Sequence, residues 1–281
     1  MEKVAFTPFS ITVHGQLIEY KRPVVMGILN VTPDSFYDGG RHNEPASMLA
    51  HARWLLDEGA DIIDVGAVST RPGATLLAPD VEAQRLSEAV RLLRSELPDT
   101  VLSVDTCYAL PARAAIEAGA DIVNDIGGGQ LDPEMYHTIS DLQVPYILMH
   151  GGGEMHGTAE HGATDIVDRL TQFFSARIDE LYTLGIKDLW IDPGFGFAKT
   201  VAENHELLMR LDELTTLFRE PLLAALSRKS MIYKPLGITP DQALSGTIAL
   251  DTLALERGAR LVRVHDPRPA RETIELMFPE N

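Results

Sequence analysis

Residues Val24 to Gly40 read VVMGILNVTPDSFYDGG: seven residues of strand length and composition, then a polar segment that closes on two glycines. A short apolar run without alternation marks a strand buried in a parallel sheet. A plain turn would end within a few residues, so the long polar tail asks for another task.

The same run and break recurs seven more times. DIIDVGA (Asp61 to Ala67), VLSVDT (Val101 to Thr106), DIVNDI (Asp121 to Ile126), YILMH (Tyr146 to His150), LWIDPG (Leu189 to Gly194), LLAALS (Leu222 to Ser227) and LVRVHD (Leu261 to Asp266) complete a set of eight strands. Amphipathic stretches of helix length lie between and after them, among them Ser47 to Glu58, Val81 to Glu96, Ile166 to Leu184 and Gln242 to Arg257. Eight βα units in about 250 residues have the count and size of a TIM (β/α)8 barrel.

An internal repeat phases the units. EGADIIDVG, EAGADIVNDIG and ERGARLVRVHD share a glycine, Gly59, Gly119 or Gly258, that can end a helix in the left-handed conformation just before a strand. Upstream, FSITVHGQLIEY reads as two short strands about a His14-Gly15 turn, a hairpin that would close the bottom of the barrel. The expected organisation is one domain, with the hairpin in residues 1–22 and the barrel in 23–281, since no linker or low-complexity tract interrupts it. A doubly wound open sheet is the alternative, weakened by the lack of a GxGxxG turn after the first strand.

Composition excludes other classes. A formal charge of -17 opposes a nucleic-acid partner, so an anionic ligand must be held by a local cluster of cations. The single cysteine, Cys107, excludes an internal disulfide and fits a reducing cytosol. No apolar run reaches membrane-spanning length, and the first residues lack a signal-peptide core, which together suggest a soluble, unexported protein.

In a barrel the C-terminal ends of the strands converge on one mouth. Those ends carry Asn30, Ser69-Thr70-Arg71, Asp105, Asn124-Asp125, His150, Asp192, Ser227-Arg228-Lys229 and Arg263-His265-Asp266. Contact with water and helix capping account for about half of them, Asp125 and Asp266 included. They do not account for Asp105 behind VLSV or Arg263 inside LVRVHD, where an unpaired charge is costly. By chemistry the set has two halves. Arg71, Arg263, His265 and Asn30 suit a diphosphate, the Asn oxygen serving a Mg²⁺ ion. Asp105, Asn124, Asp192 and Lys229 offer paired donors and acceptors for the edge of a flat heterocycle. A ring and a diphosphate together suggest a substrate that loses pyrophosphate.

MGILNVTPDSFYDGG, STRPG (Ser69 to Gly73), SVDT (Ser103 to Thr106), NDI (Asn124 to Ile126), DPGFGF (Asp192 to Phe197), SRKS (Ser227 to Ser230) and RVHD (Arg263 to Asp266) stand in an order that resembles the dihydropteroate synthases from Val24 onward. The resemblance implies a TIM barrel that condenses 6-hydroxymethyl-7,8-dihydropterin diphosphate with p-aminobenzoate in folate biosynthesis. It implies that Asp105, Asn124, Asp192 and Lys229 hold the pterin. Asn30, Thr70, Arg71, Arg263 and His265 would hold the diphosphate, with Mg²⁺ on Asn30. Phe36, Pro72 and Ser230 would lie against p-aminobenzoate, and Asp38 near the cationic carbon formed as pyrophosphate leaves. Lys229, Asp105, Asp38 and Arg263 are thus the expected catalytic set, and the polar run after Asn30 a lid. The same resemblance implies a cytoplasmic homodimer, joined through outer helices late in the barrel, and a target for sulfonamides.

Some stretches depart from the family. Ala67-Val68 stands where many members have Gly-Glu, and Ala198 and Ala225 where many have Gly. The segment HGGGEMHGTAEHG from His150 to Gly162 is the least family-like; its His150, Glu154, His156 and His161 match no metal-ligand spacing, so a polar loop is expected. GFGFAKT (Gly194 to Thr200) lacks the Gly-Lys spacing of a phosphate loop. Trp54 and Trp190 are expected in the core or between helices. Two other functions stand beside the synthase: a methyltransferase acting on methyltetrahydrofolate, which leaves Arg263 and His265 without a task, and a catalytically silent pterin binder.

Overall fold

The computed structural model describes residues 6–31, 44–67, 77–151 and 165–279. Its order is β1 (Phe9–Val13), β2 (Gln16–Tyr20), β3 (Val24–Asn30), α1 (Glu44–Asp57), β4 (Ile62–Gly66), α2 (Pro79–Glu96), β5 (Val101–Asp105), α3 (Ala109–Glu117), β6 (Ile122–Asp125), α4 (Met135–Leu142) and β7 (Tyr146–Met149). Then follow α5 (Ile166–Thr183), β8 (Leu189–Asp192), α6 (Val201–Met209), α7 (Leu211–Leu217), β9 (Leu223–Ala224), α8 (Ser230–Leu236), α9 (Leu244–Glu256), β10 (Leu261–Val264) and α10 (Pro267–Met277).

The strands β3 to β10 form one parallel sheet of order β8-β7-β6-β5-β4-β3-β10-β9. A parallel bridge between Ile191 and Leu222 joins its two ends, so the sheet closes into the expected barrel and the open-sheet alternative falls. Gly59, Gly119 and Gly258 all have positive φ, at +97°, +114° and +93°, and each ends a helix immediately before a strand. Two units carry an extra helix. Arg210 separates α6 from α7, and the β9–β10 connection holds α8, with Pro235 in its last turn and Gly237 as its C-cap, before α9.

Period-two alternation sorts the strand residues between two cores. In β4, Ile63 and Val65 face the helices while Ile62 faces the barrel axis; β6 and β10 repeat this with Val123 and Val262 outside, Ile122 and Leu261 inside. The inward residues of the first strand positions, with Trp190, make an apolar floor, on which Phe9, Ile11 and Val13 of the hairpin pack. The hairpin turn is His14-Gly15, both at positive φ, which matches a tight primed turn. Trp190 is therefore a core residue as expected, but Trp54 is not: it is 41% exposed on α1, its ring tilted against that of His51 with centroids 5.5 Å apart.

Candidate functional site

Above the apolar floor the next inward positions are polar, and they meet. Arg263 of β10 donates from Nε to Asp64 Oδ2 and from Nη2 to Asp105 Oδ2, both at 2.6 Å. Asn124 Nδ2 donates to the same Asp64 oxygen at 3.0 Å. Asp105 and Asn124 are register partners on β5 and β6, and Asn30 and Asp105 flank Gly66 in the adjoining register. Asp192, at the end of β8, is buried, and its Oδ1 accepts from the Gly194 amide at 2.7 Å.

Lys229 enters from the loop after β9. Its ammonium donates to the Phe195 carbonyl at 2.5 Å and lies 4.8 Å from the centre of the Phe197 ring. Gly196 makes room for it: at φ +82°, a Cβ there would stand 3.2 Å from Lys229 Cδ. His265 sits beside Ser227, whose Oγ is 2.9 Å from the imidazole Nδ1 and accepts the His265 amide at 3.3 Å. Ser230 is the first residue of α8, directly after Lys229.

The expected heterocycle set of Asp105, Asn124, Asp192 and Lys229 therefore comes together at the mouth, with Arg263 among it. Arg263 is not, however, a bare diphosphate ligand: two of its nitrogens are held by carboxylates, and only Nη1 lacks a partner among the described residues. Phe36, Asp38, Thr70, Arg71 and Pro72 lie outside the described residues, as do Glu154, His156 and His161.

Two strand-end aspartates behave differently from the capping reading. Asp266 makes no cap bond to α10 and instead takes a two-pronged ion pair from Arg228, with Nη2–Oδ1 at 2.8 Å and Nε–Oδ2 at 3.1 Å. A charged partner close by outcompetes the weaker helix cap. Asp125 is structural but caps no helix: it accepts the Gly127 and Gly129 amides at 2.7 Å each and the Tyr146 hydroxyl, fixing the turn after β6.

Asp64 is the site residue that sequence reasoning missed, although a signal existed. It stands five residues after Gly59, as Asn124 does after Gly119 and Arg263 after Gly258. One repeat position thus supplies three side chains that touch across the barrel. Equal offset from equivalent glycines puts each at the same height with the same inward orientation.

The electrostatics follow from burial. Desolvation raises the Asp105 carboxyl, and the second carboxylate at Asp64 adds to the rise, against the lowering effect of Arg263. Burial likewise raises Asp192, opposed by Lys229. Lys229 moves the other way, down to about 8, because burial penalises its charge more than Asp192 supports it. Arg263 is raised: burial alone would lower it, but Asp64 and Asp105 outweigh that. The mouth thus carries both signs of charge within a desolvated wall, suited to a polar planar ligand.

For a cation, the described residues contain no group of three or more His, Cys, Asp or Glu side chains placed to hold a metal. Asn30 offers one hard oxygen on the mouth side of β3. That amide oxygen is of the hard type Mg²⁺ takes, and by itself it leaves the other positions to ligands from elsewhere.

The barrel and its polar mouth define a binder of a flat, hydrogen-bonding heterocycle. Residues 26–265 match the family described as Pterin binding enzyme. A dihydropteroate synthase of Synechocystis is 43% identical over 252 residues, covering 88% of this chain and 86% of its own. The structure of Xanthomonas albilineans dihydropteroate synthase with 4-aminobenzoic acid aligns with a TM-score of 0.88 at 40% identity, covering 96% and 97% of the two chains. A Yersinia pestis dihydropteroate synthase in a sulfonamide drug complex aligns at 0.85 and 38% identity, covering 96% and 97%. The chain belongs to the dihydropteroate synthase family of pterin binding enzymes.

Proposed function

We infer that the chain condenses 6-hydroxymethyl-7,8-dihydropterin diphosphate with p-aminobenzoate, forming 7,8-dihydropteroate and releasing pyrophosphate. The observation that carries this is the convergence of Asp105, Asn124, Asp192, Lys229 and Arg263 in one mouth above an apolar floor. The carboxylates and the Asn124 amide accept from the amino and ring N–H groups of the pterin; Lys229 donates to its acceptors. Arg263, held by Asp64 and Asp105, presents its remaining edge to the substrate, and His265, braced by Ser227, lies beside it for the diphosphate. Asn30 would hold a Mg²⁺ ion, which when bound supplies positive charge to the leaving group.

The reaction this supports is dissociative. The C–O bond breaks as pyrophosphate gains charge near the cations, and the weakly basic arylamine then attacks the electron-poor carbon and gives up one N–H proton to solvent. Such a site works by orientation and fixed charge, with no covalent nucleophile. Ser230, Phe36 and Pro72 would receive p-aminobenzoate, and Asp38 would face the cationic carbon. Sulfonamides, which mimic p-aminobenzoate, would compete there.

A homodimer in the cytoplasm accompanies this reading. Support for the dimer is the apolar sequence LSGTIALDTLALE of α9, whose Ile248, Leu250 and Leu253 are not fully buried in one copy, and Leu236 of α8, 61% exposed. Among the described residues no helix is long and apolar enough to cross a membrane.

Pyrophosphate release tests the function, with dihydropterin diphosphate, Mg²⁺ and p-aminobenzoate, against a Lys229→Ala variant. Release coupled to dihydropteroate is expected, with kcat/KM falling about 10- to 150-fold in the variant for one charge-assisted bond of about 1.5–3 kcal/mol. Pterin binding without product would mark a silent binder, and no pterin binding would overturn the assignment.

A further inference from the structure

A second lysine, Lys199, lies outside the set described above, and its surroundings are more specific than a surface cation requires. Its ammonium is 3.0 Å from the Gly194 carbonyl, 3.1 Å from that of Phe197, 3.2 Å from that of His150 and 3.0 Å from His150 Nδ1. Four acceptors converge on a group with three N–H donors, so the cage is saturated. Two of the acceptors belong to the loop after β8 and two to the end of β7, so one ammonium ties two βα loops together.

The loop is wound around that ammonium. Gly194, Gly196 and Ala198 have φ of +70°, +82° and +45°, so every second residue is left-handed. This winding turns the Gly194 and Phe197 carbonyls toward Lys199 and leaves the Phe195 carbonyl, between them, pointing at Lys229. The Phe197 ring, next in line, lies beside the Lys229 ammonium. A left-handed Ala is disfavoured by roughly 1–2 kcal/mol, so the winding needs an external tie. The neighbouring Gly196 amide is held as well, by Asn204 Oδ1 at 2.7 Å.

We propose that Lys199 is a positioning residue for the synthase reaction: it clamps the β8–α6 loop so that the Phe195 carbonyl and Phe197 ring hold Lys229 at the pterin. The proposal rests on Lys229 contacting the pterin, as argued under the proposed function. His150 serves the clamp as a neutral acceptor, since burial and then the Lys199 charge depress its imidazole to about 3. This also gives His150, at the head of the atypical segment, a task other than metal binding.

The test combines steady-state kinetics on Mg²⁺-loaded enzyme with hydrogen exchange of the peptide covering Gly194 to Ala198, in Lys199→Met and Lys199→Gln. Methionine keeps the chain length and removes every donor; glutamine keeps one donor group, so it should rescue in part. The expected result is a KM for dihydropterin diphosphate raised at least about tenfold in the Met variant and less in the Gln variant, with kcat changed about twofold or less. Exchange in the loop should quicken in the same order while β5 exchange stays at the wild-type rate. Faster loop exchange with an unchanged KM would overturn the proposal, as would unchanged exchange, and a lowered melting temperature alone would mark a merely structural lysine. Should the wild type lack synthase turnover, the functional reading fails, whereas the exchange arm still reads the clamp. A Met variant too unstable to purify leaves the Gln variant to decide on the same two readouts.

Discussion

Replacing Asp64 tests whether the buried cluster is held together as its geometry indicates. One oxygen, Oδ2, accepts from both Arg263 Nε at 2.6 Å and Asn124 Nδ2 at 3.0 Å, while Oδ1 is buried without a partner among the described residues. Asp64→Asn can keep an oxygen in that place, while it loses the charge and sets an NH2 group where Oδ1 stood. The ion pair then becomes a bond from the Arg263 guanidinium to a neutral amide oxygen, a loss of about 1–2 kcal/mol. Asp64→Leu instead strands a buried guanidinium nitrogen and the Asn124 amide, which costs about 3–5 kcal/mol even with Asp105 still in place. Urea denaturation of the three proteins measures the ladder. A Leu variant within about 0.5 kcal/mol of wild type, or level with the Asn variant, would refute the reasoning, since surface substitutions behave that way. The Asn variant has a second signature. Asp64 is one of the groups that raise Asp105, so its neutralisation lets Asp105 ionise at lower pH. Asp105 must be ionised to accept from the pterin, so the acid limb of kcat/KM should move to lower pH.

Two further substitutions probe stability. Ala198 stands at φ +45°, so Ala198→Gly removes left-handed strain at the cost of a more flexible unfolded chain; a net gain of about 0.5–1 kcal/mol is expected, read as a melting temperature higher by about 1–3 °C. Asp251 of α9 is buried with Oδ1 unpartnered among the described residues, and burial raises its carboxyl well above the usual range. A folded-state pKa above the unfolded value means that wild-type stability falls as pH rises from about 4 through the folded pKa. Asp251→Ala should therefore stabilise by about 1–3 kcal/mol near neutral pH and by less at pH 4; equal gains at both would contradict the burial argument.

Much of this architecture was written in local pattern. The eight strand starts were legible because apolar runs of strand length are bounded by polar breaks, and β3 spans Val24–Asn30 as its sequence indicates. The glycine repeat fixed three helix-to-strand joints because only glycine takes their φ without strain. The mouth residues Asp105, Asn124, Asp192, Lys229 and Arg263 were legible too, as polar or charged side chains within or just after apolar runs where burial needs a partner. Trp54 was misplaced because a helix period shows which residues share a face, while the fold decides which face is covered.

The sequence by itself determined the barrel, its hairpin floor and the polar composition of its mouth, because these rest on periodicity and on backbone preferences that act within a few residues. Tertiary structure alone decided the pairings: Asp64 with Arg263 across 199 positions, Arg228 with Asp266 rather than a helix cap, and Lys199 with His150. Which charge meets which depends on where barrel closure brings distant strand ends, and on the desolvation that makes an unpaired charge too costly to leave. No local signal carries that information.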